Sequence, residues 1–213
     1  MSHFIGLCFG DFWEDNLEYY SETREVEYYI AYTKAEAIEE VKKNRLIEYN
    51  YALKKVSDTS LDQETKNRFD KIVKAGPSIS DEEAWKEASE WGYEIDEIEN
   101  LLTTYNPNSK WDWYSIGGRW DGFICLKEKD SEGNPMRVNQ ARFSEIDWDY
   151  MFNNNKIPFC YVEVDGEWCE KGEMGWFGSV SNESDESSWN SQFKDYVRFL
   201  DDDCLVTAVD FHI

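Results

Sequence analysis

The sequence predicts an α+β fold in which helices pack on a mixed or mostly antiparallel sheet. Apolar runs typical of strands occur near both ends of the chain and again after residue 120. Between them, residues 33–104 are predicted to form a mainly helical block. With 213 residues, of which 41% are hydrophobic, the chain is long enough to bury one core. We therefore expect residues 1–213 to form a single domain that contains the block as an insertion.

The first predicted strand is Phe4–Phe9, a short apolar run that ends at a Gly-Asp turn. In Arg24–Tyr32, more apolar and less apolar residues alternate, which is the period of a strand with one buried face. At the other end of the chain, Cys204–Ile213 begins apolar on both faces. This pattern predicts an interior strand of the sheet.

Three helices are predicted from capping boxes, in which a Ser or Thr is followed three residues later by Glu or Gln. These boxes begin at Thr33, Ser60 and Ser80. The second helix is expected to end at Gly76, which is followed by proline. Ile95–Leu102 is expected to add a further helical piece.

After Trp120 the hydrophobic period becomes that of strands. The predicted elements are strands at Phe123–Lys127 and Arg137–Phe143, a short helix at Ser144–Phe152, strands at Phe159–Val164, Glu167–Cys169 and Met174–Val180, and a last amphipathic helix that ends near Leu200. The Asp-Gly pair at residues 165 and 166 separates two of these strands and is a strong hairpin signal.

The charge of the chain is strongly acidic, with 45 Asp and Glu against 22 Lys and Arg and a formal net charge of −23. Such a charge repels phosphate backbones and anionic lipid headgroups, so we expect no direct binding to duplex nucleic acid and none to membranes. It favours attraction to a basic surface on a protein partner. A solvated acidic coat without any partner would have the same composition.

Targeting signals and cysteine spacing both favour the cytoplasm. No apolar run is long enough to span a membrane, and the start of the chain lacks the pattern of a signal peptide. The cysteines are Cys8, Cys125, Cys160, Cys169 and Cys204. Without a C-x-x-C pair, they predict reduced core thiols and neither a zinc site nor a disulfide framework. We expect no cofactor, and the sequence predicts no particular oligomeric state.

The segment Asn106–Trp120 is the densest group of residues suited to ligand binding, because it combines aromatic rings, charges and a double glycine. Paired glycines let backbone amides approach a ligand, an arginine grips a phosphate or carboxylate, and aromatic rings stack on planar groups. The ligand would be small, anionic and nucleotide-like. The candidate binding residues are Lys110, Trp111, Asp112, Trp113, Tyr114, Gly117, Gly118, Arg119 and Trp120.

The same segment also has a purely structural interpretation. The double glycine would then make a tight turn, the tryptophans would fill the core, and Arg119 would pair with Asp112. Its glycine spacing matches neither a P-loop nor a dinucleotide-binding motif. A second aromatic loop, Glu173–Gly178, adds Trp176 as a candidate for lining the same cleft, or else forms a packed turn.

The only two histidines, His3 and His212, lie near opposite ends of the chain. If the first and last strands are neighbours, both converge with Asp210, which points to the same face of the last strand as His212. Two imidazoles and a carboxylate could hold a divalent metal or perform acid–base chemistry. Alternatively, the histidines make ordinary hydrogen bonds at strand ends. The sequence contains no motif for nucleophilic catalysis.

Four stretches of the chain resemble a family of proteins found in bacteriophages and in some bacterial genomes. They are the Ser2-His3-Phe4 start, the Asn-Pro-x-Ser-Lys-Trp-Asp-Trp-Tyr-x-Ile-Gly-Gly-Arg-Trp string at Asn106–Trp120, the stretch Gly166–Gly178 and the end Val209–Ile213. The family carries no established activity. The resemblance implies an accessory protein in the cytoplasm of an infected bacterium, where proteins of this size often neutralise a host defence system.

The leading functional hypothesis is a binding protein that counters a bacterial antiviral system. It would either dock its acidic helical block on a basic surface of a host protein or sequester a small anionic ligand at Lys110 and Arg119. The alternative is a metal-assisted hydrolase that acts on a nucleotide or phosphoester, with His3, Asp210 and His212 as ligands or acid–base groups. A third hypothesis is an interaction protein without a pocket.

Overall fold

A computed structural model describes residues 2–175 and 178–213. The chain divides into two compact units: Met1–Glu25 and Tyr105–Ile213 together form the first, and Val26–Thr104 forms the second. The predicted helical block of residues 33–104 falls within the second unit. Both units combine helices with strands, and the predicted α+β fold class is confirmed.

The helices and strands follow one another along the chain with short connections. In order they are β1 (His3–Phe9), α1 (Trp13–Glu18), β2 (Tyr29–Tyr32), α2 (Lys34–Lys55), α3 (Gln63–Ala75), α4 (Asp81–Ala88), β3 (Glu94–Ile95), β4 (Leu101–Thr103), β5 (Trp113–Ile116), β6 (Ile124–Lys129), β7 (Pro135–Val138), β8 (Gln140–Arg142), α5 (Trp148–Asn153), β9 (Cys160–Val162), β10 (Trp168–Glu170), β11 (Glu173–Met174), β12 (Val180–Ser181), α6 (Glu186–Val197) and β13 (Leu205–His212). Single 3-10 turns occupy Gly118–Trp120 and Phe143–Glu145.

The main sheet of the first unit is mixed, with the strand order β10-β9-β1-β13-β5 and with β8 also paired to β13. Strand β1 runs parallel to β9 and antiparallel to β13. Strand β13 pairs with β1 on one flank and with β5 and β8 on the other. The prediction that Cys204–Ile213 forms an interior strand is therefore confirmed.

One face of this sheet changes from apolar to polar along β13. Residues directly opposite each other in an antiparallel pair share a face, and the register places Leu7 opposite Ala208 and His3 opposite His212. Leu7 and Ala208 are buried in a core to which helix α6 contributes Phe193. Two and four residues beyond Ala208, the same face carries Asp210 and His212. The sheet thus brings a polar group to the end of its apolar face.

The opposite face of the sheet is packed with aromatic rings. Phe4 and Phe211 stack with ring centroids 5.5 Å apart, and helix α1 covers this face with Trp13 and Leu17. Gly6 lies beneath these rings, where a Cβ would come within 2.4 Å of the Phe211 ring. Because β1 and β13 are buried on both faces, their side chains are held tightly by packing.

The second unit packs helices on a small sheet of order β2-β4-β3. Helices α2 and α4 begin at the predicted capping boxes of Thr33 and Ser80, in which both reciprocal hydrogen bonds are present. The core between these elements consists of small and aliphatic residues: Ala37, Val41, Ala84, Ala88 and Leu101. Alanines on facing helices allow a close approach of the two backbones.

Several local predictions are wrong. Helix α3 begins after Asp62, whose carboxylate accepts the Thr65 amide at 2.9 Å, and not at a capping box of Ser60. Ile95–Leu102 is not helical, because its two ends pair as β3 and β4. Other segments are divided differently from the prediction: Arg137–Phe143 contains parts of β7 and β8, and Met174–Val180 contains the ends of the β11–β12 hairpin. Short strands depend on their tertiary partners more than on local pattern.

Candidate functional site

The polar end of the main sheet holds a group that we call the histidine cluster: His3, Asp112, Trp113, Asp210 and His212. Strand pairing builds it, since β13 places His212 opposite His3 on one flank and opposite Trp113 on the other. The two imidazole rings lie with centroids 4.9 Å apart in an edge-to-face arrangement. The convergence of His3, Asp210 and His212 that the sequence allowed is therefore present.

Each imidazole is in hydrogen-bond contact with its own carboxylate. His3 Nδ1 lies 2.9 Å from Asp210 Oδ1, and His212 Nδ1 lies 2.6 Å from Asp112 Oδ1. A carboxylate on Nδ1 fixes the orientation of the ring and, when the ring is neutral, holds its proton on that nitrogen. In each histidine, Nε2 is then the atom that remains to accept a hydrogen bond.

The two histidine–aspartate pairs differ in burial. The Asp210 side chain is 3% exposed, whereas the Asp112 side chain is 33% exposed. His212 is almost fully buried and stacks on the Trp113 ring at a centroid distance of 4.9 Å. Its Nε2 is buried without a hydrogen-bond partner among the described residues. Such an atom marks a place where a polar group of a ligand, or a small rearrangement, would be favourable.

The double glycine forms the turn that places a backbone amide against the Asp210 carboxylate. Gly117 and Gly118 have φ angles of 73° and 51°, in the left-handed region that favours glycine. This turn directs the Arg119 amide to Asp210 Oδ2, to which it donates at 2.9 Å. The anion that receives this amide is thus a carboxylate of the protein itself. Binding of an external anion by the glycine turn stays a prediction.

The Arg119 side chain is not part of this hydrogen bond, which its backbone amide makes. It is exposed and forms no ion pair with any described residue. The pairing of Arg119 with Asp112 that the structural interpretation proposed is not formed, because Asp112 accepts from the Trp113 amide at 2.7 Å and contacts His212. The guanidinium is free to meet solvent or a ligand.

The remaining candidates in the Lys110–Trp120 string have partners in different places. Lys110 Nζ lies 2.6 Å from Glu170 Oε1, beside a cavity of about 190 Å³. The Trp111 indole donates to the Leu17 carbonyl at 3.2 Å, and the Tyr114 hydroxyl donates to Glu14 at 3.3 Å. Trp120 packs against the apolar core. Trp176 lies outside the described residues.

The geometry of the histidine cluster bears on the metal hypothesis. Within residues 2–175 and 178–213, no group of three or more His, Cys, Asp or Glu side chains is arranged to hold a metal ion. The Nδ1 atoms of His3 and His212 are occupied by carboxylates. What remains for chemistry is the Nε2 atom of each oriented imidazole, an arrangement that acid–base histidines and metal-binding histidines share.

A second site lies elsewhere in the first unit, and we call it the acidic groove. It is a cavity of about 700 Å³ that is lined by aromatic and aliphatic side chains and by five carboxylates, which we call the rim. The walls include Phe12, Val164, Tyr196, Phe199, Leu200 and Leu205. The rim carboxylates are Asp11, Glu163, Asp165, Asp201 and Asp203.

Three of the apolar side chains that line the acidic groove are unusually exposed. Phe199 is 88% exposed, Phe12 is 75% exposed and Val164 is 51% exposed. A folded chain normally buries most of a phenylalanine ring, since burial contributes roughly 1.5–3 kcal/mol. Exposed rings that line one cavity with a polar rim are typical of an interaction surface.

The charge of the groove is only partly neutralised from within. Arg142 donates to Asp11 at 2.8 Å and lies 3.7 Å from an oxygen of Asp203. Glu163, Asp165 and Asp201 form no ion pair with any residue in the described ranges. Burial, together with the nearby charges of Glu167 and Asp165, raises the pKa of the Glu163 carboxyl. A bound cation would relieve this unfavourable charging.

Sequence reasoning missed the acidic groove because its residues come from three distant segments, near residues 11, 164 and 201. One local signal was available: the run Asp201-Asp202-Asp203, which follows Phe199 and Leu200 just beyond the end of helix α6. The pairing of the sheet strands decides which residues lie opposite Asp201-Asp202-Asp203, and no sequence pattern predicts that pairing.

Comparisons with protein families, with curated proteins and with solved structures found no match to this chain. The resemblance to the bacteriophage family therefore stays a prediction. No helix in the part of the chain that the structure describes combines the length and the apolar composition needed to cross a membrane.

Proposed function

We propose that this is a binding protein whose acidic groove receives a basic segment of a partner protein. The observation that carries the proposal is the exposure of Phe12 and Phe199 at 75% and 88% in a groove with an acidic rim. Such a groove offers apolar contact and negative charge at once. A segment that combines basic with apolar or planar side chains is complementary to both.

Electrostatic attraction favours a basic partner both during its approach and after it has bound in the groove. The formal net charge of −23 attracts a basic partner from afar and raises the rate of encounter. Inside the groove, Asp165 and Asp201 offer carboxylates that no cation of the described chain neutralises. The sequence suggests the acidic helical block as the docking surface. The docking surface proposed here is the acidic groove, which lies in the first unit.

The identity of the partner rests on the resemblance to a bacteriophage family. On that basis we propose that the partner is a protein of the bacterial host and that its capture counters a host defence system. The same charge predicts that the protein does not bind duplex DNA, which a mobility-shift assay at physiological salt would check.

The proposal is tested by calorimetric titration with a synthetic peptide rich in Arg and Lys. We expect the wild-type protein to bind it and the double variant Asp165→Asn, Asp201→Asn to bind at least about fivefold more weakly, since two charges are lost from the contact. The matched control is Asp70→Asn with Glu87→Gln, which removes two exposed charges from the second unit. Equal weakening by both double variants would show attraction by net charge alone and would contradict a specific groove.

The histidine cluster favours a second candidate function, acid–base hydrolysis of a phosphoester. The supporting observation is the pair of imidazoles 4.9 Å apart, one of them with a buried Nε2 that lacks a partner among the described residues. Hydrolysis of a chromogenic phosphodiester should then be lost in His212→Gln and in His3→Gln. A rate that is equal in the wild type and both variants would eliminate this candidate.

A further inference from the structure

We infer that the acidic groove selects arginine over lysine, so that its partner presents an arginine-containing segment. This inference rests on the proposed function, because it concerns the chemistry of the same groove. Three features of the groove support it: the exposed rings, the contacts of Arg142, and the carboxylates that remain without a cation.

The exposed rings distinguish the two basic side chains. A guanidinium is flat and weakly hydrated, so it stacks on the face of an aromatic ring while keeping its edge donors free. An ammonium is compact and strongly hydrated, and it loses more water when it meets a ring. Phe12 and Phe199 present their rings to solvent beside carboxylates, which is the combination that a stacked guanidinium requires.

Arg142 shows how the rim holds a guanidinium. Its Nη1 donates to Asp11 Oδ1 and to the Asp203 carbonyl oxygen, both at 2.8 Å. Its Nε lies 3.7 Å from Asp203 Oδ1. Nη1 thus makes both hydrogen bonds, while Nε lies in ion-pair range of a third oxygen, so two nitrogens of one guanidinium face this rim at once.

The other carboxylates of the groove provide places for further guanidinium groups. Asp165 and Asp201 are exposed, and neither has an ion-pair partner among the described residues. The raised pKa of Glu163 reflects burial and neighbouring negative charge, so a cation is favoured there as well. One internal arginine occupies one part of the rim, and the rest is open to the arginines of a partner.

The test compares an oligoarginine with an oligolysine of equal length by isothermal titration calorimetry at physiological salt. Because the two peptides carry the same charge, attraction by charge alone predicts similar affinities. We expect the arginine peptide to bind about tenfold more tightly, as stacking on two rings adds to the charge interaction.

The double variant Phe12→Ser, Phe199→Ser identifies the source of this preference. Both rings are exposed, so the variant should fold, and circular dichroism would check this independently. We expect its preference for arginine to fall to about twofold or less, as the stacking contribution is lost. The control Tyr51→Ser removes an exposed ring from the second unit and should leave the preference unchanged.

The outcomes separate the two proposals. If neither peptide binds, the proposed function is wrong and the arginine preference falls with it. If both peptides bind equally and Asp165→Asn with Asp201→Asn weakens both, the groove is a basic-segment site but the selection of arginine is overturned. If the preference survives in the Phe12→Ser, Phe199→Ser variant, it arises elsewhere and this inference is wrong.

Discussion

Gly118 and Asp210 are packed so closely that no side chain fits between them: a Cβ on Gly118 would lie 2.4 Å from Asp210 Oδ2. The φ angle of Gly118 is 51°, which is itself unfavourable for other residues. Two independent reasons thus require glycine at the turn that presents the Arg119 amide to Asp210.

Gly118→Ala should destabilise the protein by about 2–4 kcal/mol, because backbone strain and a steric clash add together. Urea denaturation measures this loss. The control is Gly133→Ala, a position with φ of 85° where a Cβ would meet no atom within 4 Å. There we expect only the strain, about 1–2 kcal/mol. Equal losses at the two positions would show that the contact with Asp210 is unimportant.

Arg119→Ala should change the free energy of unfolding by no more than about 0.5 kcal/mol, as is usual for an exposed side chain without partners. The backbone amide that donates to Asp210 is kept in this variant. The melting temperatures of the wild type and of Arg119→Ala measure this change in stability. If the variant loses a ligand or an activity while its melting temperature is kept, the guanidinium acts on that ligand directly. A large fall in the melting temperature would indicate a buried role instead.

Asp210→Ala and Asp112→Ala should differ in their effect on stability, although each removes the partner of one histidine. Asp210 is buried, so its loss leaves two partly buried donors, His3 Nδ1 and the Arg119 amide, without their acceptor, which should cost about 2–4 kcal/mol. Asp112 is 33% exposed, and water can take its place beside His212. We expect a loss of about 1 kcal/mol there. Chemical denaturation of the two variants under identical conditions compares them, and the reverse order would contradict this account.

Arg142→Gln should strengthen the binding of a basic peptide to the acidic groove by roughly two- to fivefold, which corresponds to an exposed charge interaction. The change frees the carboxylates of Asp11 and Asp203 for the peptide. The control Arg68→Gln removes one positive charge from the second unit, where Arg68 lies 3.6 Å from Glu48. Unchanged or weaker peptide binding by Arg142→Gln would show that Arg142 does not compete with the partner.

Glu163 should make peptide binding depend on pH. Burial raises the pKa of its carboxyl, so part of it stays protonated above the pH at which ordinary carboxyls have ionised. A bound cation favours the ionised form, and the peptide affinity should therefore increase as the pH rises through this raised pKa. In Glu163→Gln the affinity should be flat over the same interval. Calorimetric titrations at a series of pH values measure this. If the peptide affinity changes with pH equally in the wild type and in Glu163→Gln, the Glu163 carboxyl is not the cause.

Sequence patterns predicted the elements whose signals are local. Thr33 and Ser80 cap helices through reciprocal bonds with residues three positions away, and Asp165-Gly166 turns a hairpin, so neighbouring residues suffice to define each of them. For the strand Trp113–Ile116 the sequence pattern indicates a loop, because aromatic residues beside paired glycines are typical of a binding loop. Pairing with β13, which is distant in sequence, makes it a strand.

The same distinction explains what was predictable of the candidate sites. The meeting of His3 with His212 followed from the strand character of the two chain ends, given that those strands are neighbours. The role of Asp112 as partner of His212 depends on the register between β5 and β13, which sequence does not report. The acidic groove is formed by loops and a helix end that are far apart in the sequence. No local sequence pattern therefore indicates that Phe12 and Phe199 line the same cavity.

The pairing of β1 with β13 has a consequence for biosynthesis. Ser2 and Ile213 exchange backbone hydrogen bonds of 3.0 and 3.1 Å, so the centre of the main sheet pairs β1 with a strand that the ribosome makes much later. While translation proceeds, Phe4, Leu7 and Phe9 have no partner strand on that flank and stay exposed on the nascent chain. Val26–Thr104 needs no later residue to complete its own sheet. Chaperones should therefore bind the nascent chain at β1, and they should leave it once residues 205–212 have emerged from the ribosome.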